Sequence, residues 1–419
     1  LNQFVFESLL NARNVMQNIT GNPVDGDDFF GREDELLLLK QDIEAGNHIL
    51  LLGPRRVGKS SLIAELSRRL AAENWISVRV DVQHTTDEAA FLHEIQEAVK
   101  KTGIKLPLLA QATSAIQRFL TAARGAKITV AGSGVELKDG PAEWESAAGS
   151  LKSLIATLPE DNRRVLIAID ELPIFLTKLL EAPDGPTRVR SILDWLRSVR
   201  QMTGRRMPWI LCGSIGLDSF VAKHGLEGSI NELLPMPIDA ITPMQAAALL
   251  KRLGERPTHA CPISNDVATL MIQKVGWLAP YYLQLLFHAL KSRPASSRTA
   301  SFPSEKDVDD AYLALLSPHH RVHFGHWDSR LGDLLDGNEE AAAKLILAHL
   351  SGHPGGKTLE QMRSVLAQAS PQADAGKLDK QLRNVLEFLE RDGYLGRISD
   401  RWAFRSFLLR DYWQRRFGA

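Results

Sequence analysis

The chain has 419 residues, 44% hydrophobic and 24% charged, and its 50 basic side chains are balanced by 50 acidic ones. That length suits a large soluble protein of two or three domains with ample core. Zero net charge excludes a global basic field, so any contact with nucleic acid has to come from a local patch. Two cysteines, Cys212 and Cys261, form neither a disulfide framework nor a metal-ligand spacing, and no apolar run approaches the roughly 20 residues of a membrane span. A reduced, cytoplasmic protein without a membrane partner is expected, and because Leu1 is not a natural start residue, the beginning of the chain is expected to be missing.

Residues 1–22 read as an N-terminal helix or arm, and the turn-rich stretch Gly21 to Asp28 as a hinge into the next domain. A core domain is expected over 23–235. It opens with the apolar run His48 to Leu52, which suits a buried parallel strand, followed by Gly53-Pro54-Arg55-Arg56-Val57-Gly58-Lys59-Ser60. This is the pattern G-x-x-x-x-G-K-[S/T], and from Ser61 the residues Leu62, Ile63, Leu66 and Leu70 fall at helical spacing. Strand, glycine loop and helix come in the order that a phosphate-binding loop requires. Gly53 and Gly58 free the backbone for positive dihedrals, so that consecutive amides can ring an anion at the helix N-terminus. Lys59 is then placed for the β- and γ-phosphates of ATP, and the Ser60 hydroxyl for Mg2+.

Ile76 to Asp81 reads as a second strand and Phe91 to Val99 as a helix. Residues 106–148 read as an insertion, within which 127–130 and 134–138 bracket a turn like a hairpin. Val165 to Ile169 is another buried strand, ending in Asp170 and Glu171. Asp170 is the expected metal-side carboxylate and Glu171 the expected general base for the attacking water. A helix over Val189 to Met202 buries Ile192, Leu193, Leu196 and Val199 and carries arginines on its other face. Arg200, Arg205 and Arg206 near its end read as favourable charge at a helix C-terminus, with an arginine finger for a neighbouring subunit as the alternative for Arg205 or Arg206. The strand Pro208 to Gly213 ends in Ser214, which reads either as a sensor of the γ-phosphate and lytic water or as a cap of the next turn.

Residues 236–316 read as a helical lid whose first helix is capped by Thr242 and Pro243; 317–337 is a linker. In that linker His319 and His323 would share a face on a helix, but they lack a glutamate or cysteine partner, so no metal site is expected beyond the nucleotide's Mg2+. Residues 338–419 have a winged-helix order: a helix over Glu339 to Leu350, a second opened by the capping box of Thr358 and Gln361, a third over Lys377 to Glu390, a hairpin about Asp400, and a closing helix Phe407 to Phe417. From Lys377 onward ten basic residues face six acidic ones, and Arg397 and Arg401 flank the hairpin tip where contacts to duplex DNA would fall. Glu387 and Glu390 on the third helix oppose that use.

Several segments together resemble the STAND class of AAA+-related ATPases, within it the archaeal-type ATPase family. Phe29-Phe30-Gly31-Arg32-Glu33-Asp34-Glu35 is similar to its F-x-G-R-E-x-E entry, Asp170-Glu171-Leu172-Pro173 to its Walker B end, and Gly213-Ser214 to its sensor strand. Gly276 to Tyr281 resembles the G-x-P region of its lid, and Phe404 to Trp413 its C-terminal ending, with Phe407 where the family often has proline. The resemblance implies an α/β P-loop core with a parallel sheet, a helical lid and a C-terminal winged helix. It implies ATP/ADP and Mg2+ as cofactors, with Phe30, Gly31, Arg32, residues Gly53 to Ser61, Pro280 and Tyr281 about the nucleotide. A lid helix opening on Pro280, with no arginine in its first turns, implies a slow switch that self-associates on ATP or meets a protein partner. The alternative is a DNA-handling ATPase of the loader or transposition-regulator kind.

Overall fold

The structure, a computed structural model, describes residues 16–104, 106–125, 140–158, 163–213, 215–255, 261–293 and 302–418. The chain clusters into two compact units. One comprises Glu33–Gly53 and Leu62–Ile238; the other comprises Leu1–Arg32, Pro54–Ser61 and Asp239–Ala419.

The first unit is a five-stranded parallel sheet flanked by helices. Its elements are α1 (Glu33–Glu44), β1 (Ile49–Leu52), α2 (Lys59–Ala72), β2 (Ile76–Asp81), α3 (Glu88–Lys100), α4 (Leu109–Gly125), α5 (Gly140–Ala156), β3 (Val165–Asp170), α6 (Leu172–Leu180), α7 (Gly185–Thr203), β4 (Trp209–Cys212), α8 (Leu217–Lys223) and β5 (Leu234–Pro237). The strand order is β2-β3-β4-β1-β5, so β1 lies between β4 and the edge strand β5. The near-continuous apolar runs of β1, β3 and β4 are what a sheet covered on both faces demands. This is the α/β fold of P-loop nucleotide-binding proteins. Because all strands are parallel, Gly53, Glu171 and Gly213 leave from one edge of the sheet, the carboxyl edge at which such sheets bind ligands.

The stretch read as an insertion is built into this core. Ala112, Ile116 and Phe119 of α4 and Ala147, Leu151, Leu154 and Ile155 of α5 are buried in one apolar cluster with Phe91, Phe175 and Trp195. Phe91 stacks on Phe175 at 4.7 Å, and Trp195 Nε1 donates to the Ala148 carbonyl. The hairpin expected over 127–138 lies outside the described residues, as do residues 1–15 of the expected N-terminal helix; 16–20 form no regular element.

The second unit is mainly helical: α9 (Pro243–Gly254), α10 (Asn265–Val275), α11 (Pro280–Lys291), α12 (Glu305–Leu315), a 3-10 turn Pro318–His323, α13 (Gly325–Leu334), α14 (Gly337–Ser351), α15 (Leu359–Ala369), α16 (Ala375–Arg391) and α17 (Phe407–Phe417). Its small antiparallel sheet joins β6 (Lys357–Thr358), β7 (Leu395–Ile398) and β8 (Arg401–Phe404) in the order β6-β8-β7. Helix starts follow the expected chemistry. Thr242 with Gln245 and Thr358 with Gln361 both form complete capping boxes. Phe407, the departure from the family pattern, packs against Gly276, where an added Cβ would come within 2.8 Å of its ring.

Candidate functional site

The glycine loop owes its shape to three positive φ angles. Gly53 (φ 152°) passes so close to β5's end that a Cβ would lie 2.2 Å from the Ile238 carbonyl oxygen, which only glycine tolerates. Arg56 (φ 72°) and Gly58 (φ 97°) follow, and α2 begins at Lys59 with no acidic residue in its first turn. Alternating handedness turns successive amides inward, and an uncompensated helix N-terminus adds positive potential. Lys59 is 7% exposed and its Nζ donates to the Pro54 carbonyl at 2.9 Å, so the ammonium curls over the loop it belongs to.

Within the helical unit, several expected nucleotide-side residues meet this loop. Arg32, itself at φ 61° and buried, donates from Nη2 to the Val57 carbonyl (2.7 Å) and to the Asp239 carbonyl (2.6 Å). Pro280 stands at N1 of α11 behind Ala279, which gives the helix no side-chain cap. Beside it, buried Tyr281 lies under Arg56, whose guanidinium carbon is 4.1 Å from the ring centroid, a cation–π distance. The Tyr281 hydroxyl is 3.3 Å from His323 Nδ1. Burial pushes the Tyr281 phenol up, opposed by Arg56 and Arg55. Close by, burial reinforced by Arg55 and Arg56 lowers His326 to about 3. Gly31 approaches Gln245 of α9, and Phe30 lies 6.0 Å from the Arg252 guanidinium carbon.

In the sheet unit, the acidic turn is fixed by its backbone. Glu171 adopts φ 57° as it starts α6, and its amide donates to Asp170 Oδ1 at 2.9 Å. Cys212, the last residue of β4 and 1% exposed, donates its thiol to the same Oδ1 at 2.9 Å. Spacing alone did not single out this cysteine. The signal is register: Leu211 pairs with Ile169, which sets Cys212 beside Asp170. Ser214 lies outside the described residues.

Other candidates sit elsewhere. Arg205 and Arg206 form an exposed 3-10 turn just before β4, at the amino edge of the sheet opposite Asp170, so within one chain they do not join the acidic turn. Arg200 corrects the expectation of a solvent face of arginines on α7. It is 1% exposed, donates to Glu232 Oε1 (3.0 and 2.7 Å) and to the Ser229 carbonyl, and burial depresses its pKa. Burial, with Arg200 close by, lowers His48 to about 4. The histidines of 318–323 lie on a 3-10 turn, where residues three apart eclipse: His320 stacks with His323 at 5.7 Å, and His319 does not share that face. Among the described residues no group of His, Cys, Asp and Glu could hold a metal by itself. Arg397 and Arg401 are exposed on the β7-β8 hairpin, bonded to the Ser399 and Gly356 carbonyls. Arg397 also lines a groove with apolar Leu359, Leu386 and Trp402 and with Arg383, Glu387, Glu390 and Asp400, charges of both signs.

Residues 28–199 match the family model of the AAA ATPase domain, which relates this stretch to the P-loop AAA-type ATPases. No curated relative matches the sequence. Among solved structures, the chain is similar to the Walker-type ATPase PABY2304 of Pyrococcus abyssi, with TM-score 0.63, 17% identity, and coverage of 95% of this chain and 100% of that one. It also aligns with the ORC2 protein of Aeropyrum pernix in its ADP form (TM-score 0.49, 14% identity, 97% and 98% coverage). A further alignment is to the Aeropyrum pernix ORC1 protein in complex with DNA (0.43, 16%, 93% and 93%). At such identities the first likeness speaks for the fold alone. No described helix is long and apolar enough to cross a membrane.

Proposed function

We propose that the chain is an ATP-binding and ATP-hydrolysing switch of the STAND kind, whose nucleotide state governs domain closure and self-association or partner binding. The carrying observation is the glycine loop: a phosphate-shaped backbone that is at the same time bonded to Arg32 and stacked through Arg56 on Tyr281. A ligand that reshapes the loop has to move those partners. In this reading the amides of Gly53 to Ser61 and Lys59 hold the phosphates, and Phe30, Gly31, Pro280 and Tyr281 lie toward the base and lid. Ser60 and Asp170 supply the hard oxygen donors that suit Mg2+, which would neutralise charge on the β- and γ-phosphates. Glu171, set at the turn after Asp170, orients or deprotonates the attacking water, and Ser214 serves as sensor. Arg205 and Arg206, on the far edge of the sheet, could act only on a neighbouring copy's nucleotide.

The C-terminal winged helix belongs to the same device, since Gly393 of its α16-β7 turn lies against Pro54 of the loop: a Cβ there would be 2.8 Å from Pro54 Cβ. A second reading, an ATPase that handles duplex DNA through this domain, is favoured by the exposure of Arg397 and Arg401. ATP turnover and particle size of wild type and Glu171→Gln, each with and without duplex DNA, test both. Assembly of ATP-loaded Glu171→Gln indifferent to DNA supports the switch. Stimulation by DNA that disappears in Arg397→Ala/Arg401→Ala replaces it with the second reading. Absence of turnover, with Lys59→Ala indistinguishable from wild type in ATP binding, refutes both.

A further inference from the structure

The hydrogen bond from Cys212 to Asp170 points to a role that the nucleotide-site motifs leave unassigned. Asp170 Oδ1 accepts two donors at 2.9 Å, the Glu171 amide and the Cys212 thiol. Two donors occupy the two lone pairs of one carboxylate oxygen, which blocks rotation about the Cβ–Cγ bond and sets the direction of Oδ2. Neither donor is adjustable. The Glu171 amide lies in the peptide unit between the end of β3 and the start of α6, and Cys212 is locked into β4, buried, between β3 and β1.

The next residue fits the same design. Gly213 comes so near the start of α6 that a Cβ would lie 2.5 Å from Pro173 Cδ. The end of β4 is therefore pressed onto the Asp170-Glu171-Leu172-Pro173 turn, and the thiol reaches the carboxylate because of that close approach. A valine at position 212 would suit a buried strand as well but could not donate; a small thiol or hydroxyl can.

We propose that Cys212 is a positioning residue for Asp170: its thiol fixes the carboxylate in the orientation that serves the Mg2+ of the bound nucleotide. This rests on the nucleotide reading above. The role predicts a selective defect. Cys212→Ala removes a donor to a charged acceptor and should raise the Mg2+ concentration needed for half-maximal ATP-dependent thermal stabilisation by about three- to tenfold. ATP binding in EDTA should be unchanged. Cys212→Ser, which keeps a donor, should restore most of the Mg2+ affinity despite burying a more polar group.

The test is a Mg2+ titration of the ATP-induced melting shift on the full chain for wild type, Cys212→Ala, Cys212→Ser and Lys59→Ala, with fluorescent-nucleotide binding in EDTA alongside. A raised Mg2+ requirement in the alanine variant alone, with serine near wild type, supports the proposal. It is overturned if alanine matches wild type in the titration, or if serine is no better than alanine and both weaken nucleotide binding in EDTA, the pattern of a packing defect. Should wild type show no Mg2+-dependent shift and behave as Lys59→Ala does, the nucleotide reading itself falls, an outcome visible before any cysteine variant is compared.

Discussion

Arg330 and Asp392 form a deeply buried ion pair in the helical unit, and breaking it should be costly. Arg330 of α13 donates from Nε and Nη2 to the two carboxylate oxygens of Asp392, just past α16, at 2.6 and 2.7 Å, and the side chains are 5% and 3% exposed. Asp392→Ala takes the carboxylate and both of these charge-assisted bonds away from a guanidinium in a site that water barely reaches. Each such bond contributes about 1.5–3 kcal/mol, and breaking one side of a buried pair typically costs about 3–5 kcal/mol in all. Replacing both partners with apolar groups removes the buried charge as well, so Arg330→Met/Asp392→Leu should lie within about 1–2 kcal/mol of wild type. Urea unfolding of the two single variants and the double variant gives the coupling directly, and hydrogen exchange over 325–334 and 375–391 locates it. The reasoning is refuted if Asp392→Ala costs less than about 1 kcal/mol, or if the double variant loses the sum of both singles.

Acid should weaken the fold through His326. Its folded pKa of about 3 lies below the ordinary value of 6.5, so the unfolded chain takes up the proton first, and stability present above pH 6.5 is lost progressively as pH falls toward 3. His326→Leu should flatten that limb by up to about 1.4 kcal/mol per pH unit, read from urea midpoints between pH 7 and pH 4. Gly393→Ala places a Cβ 2.8 Å from Pro54 and 3.1 Å from Trp277 at φ 93°, and should destabilise by about 1–3 kcal/mol while changing nucleotide affinity; a variant neutral in both melting and binding contradicts the contact. Thr242→Ala, which opens the capping box of α9, should cost about 1 kcal/mol in thermal unfolding, and a change within error would mean the box contributes nothing.

What the sequence made legible was local. The glycine loop, the apolar strands about it and the capping boxes are set by residues close in the chain, and α17 and β2 fall where spacing puts them. What escaped depends on partners far away. Arg200 looked like one of several helix-end arginines because Glu232, 32 positions on, is what allows it inside. β5 carries no strand signal in the sequence, since Leu-Pro-Met-Pro holds two prolines, yet as an edge strand beside β1 it can carry them. α7 begins at Gly185, earlier than the expected Val189. Gly185-Pro186 looks like a turn, but the glycine is there because a Cβ would strike the Leu180 carbonyl at 2.3 Å, and the proline suits the first helical turn.

The exposed face of the C-terminal domain bears on which function reading is economical. On α16 the acids answer the bases at short range: Arg391 pairs with Glu387 at 2.9 Å, Asp379 is taken by Arg363 at 2.7 Å, and Arg383 shares its groove with Glu387 and Glu390. That leaves Lys377 and Lys380 of α16, both exposed, and the hairpin arginines Arg397 and Arg401 as the main phosphate contacts one copy could offer. About four contacts correspond to a salt slope of only about −4, short of proteins that hold duplex at physiological salt by themselves. A DNA-handling role would therefore need several copies side by side, multiplying the contacts through avidity. Arg205 and Arg206, remote from their own chain's acidic turn, likewise gain a nucleotide-side role only in an assembly. The DNA-handling reading thus passes through self-association, whereas the switch reading can work through self-association or through a protein partner.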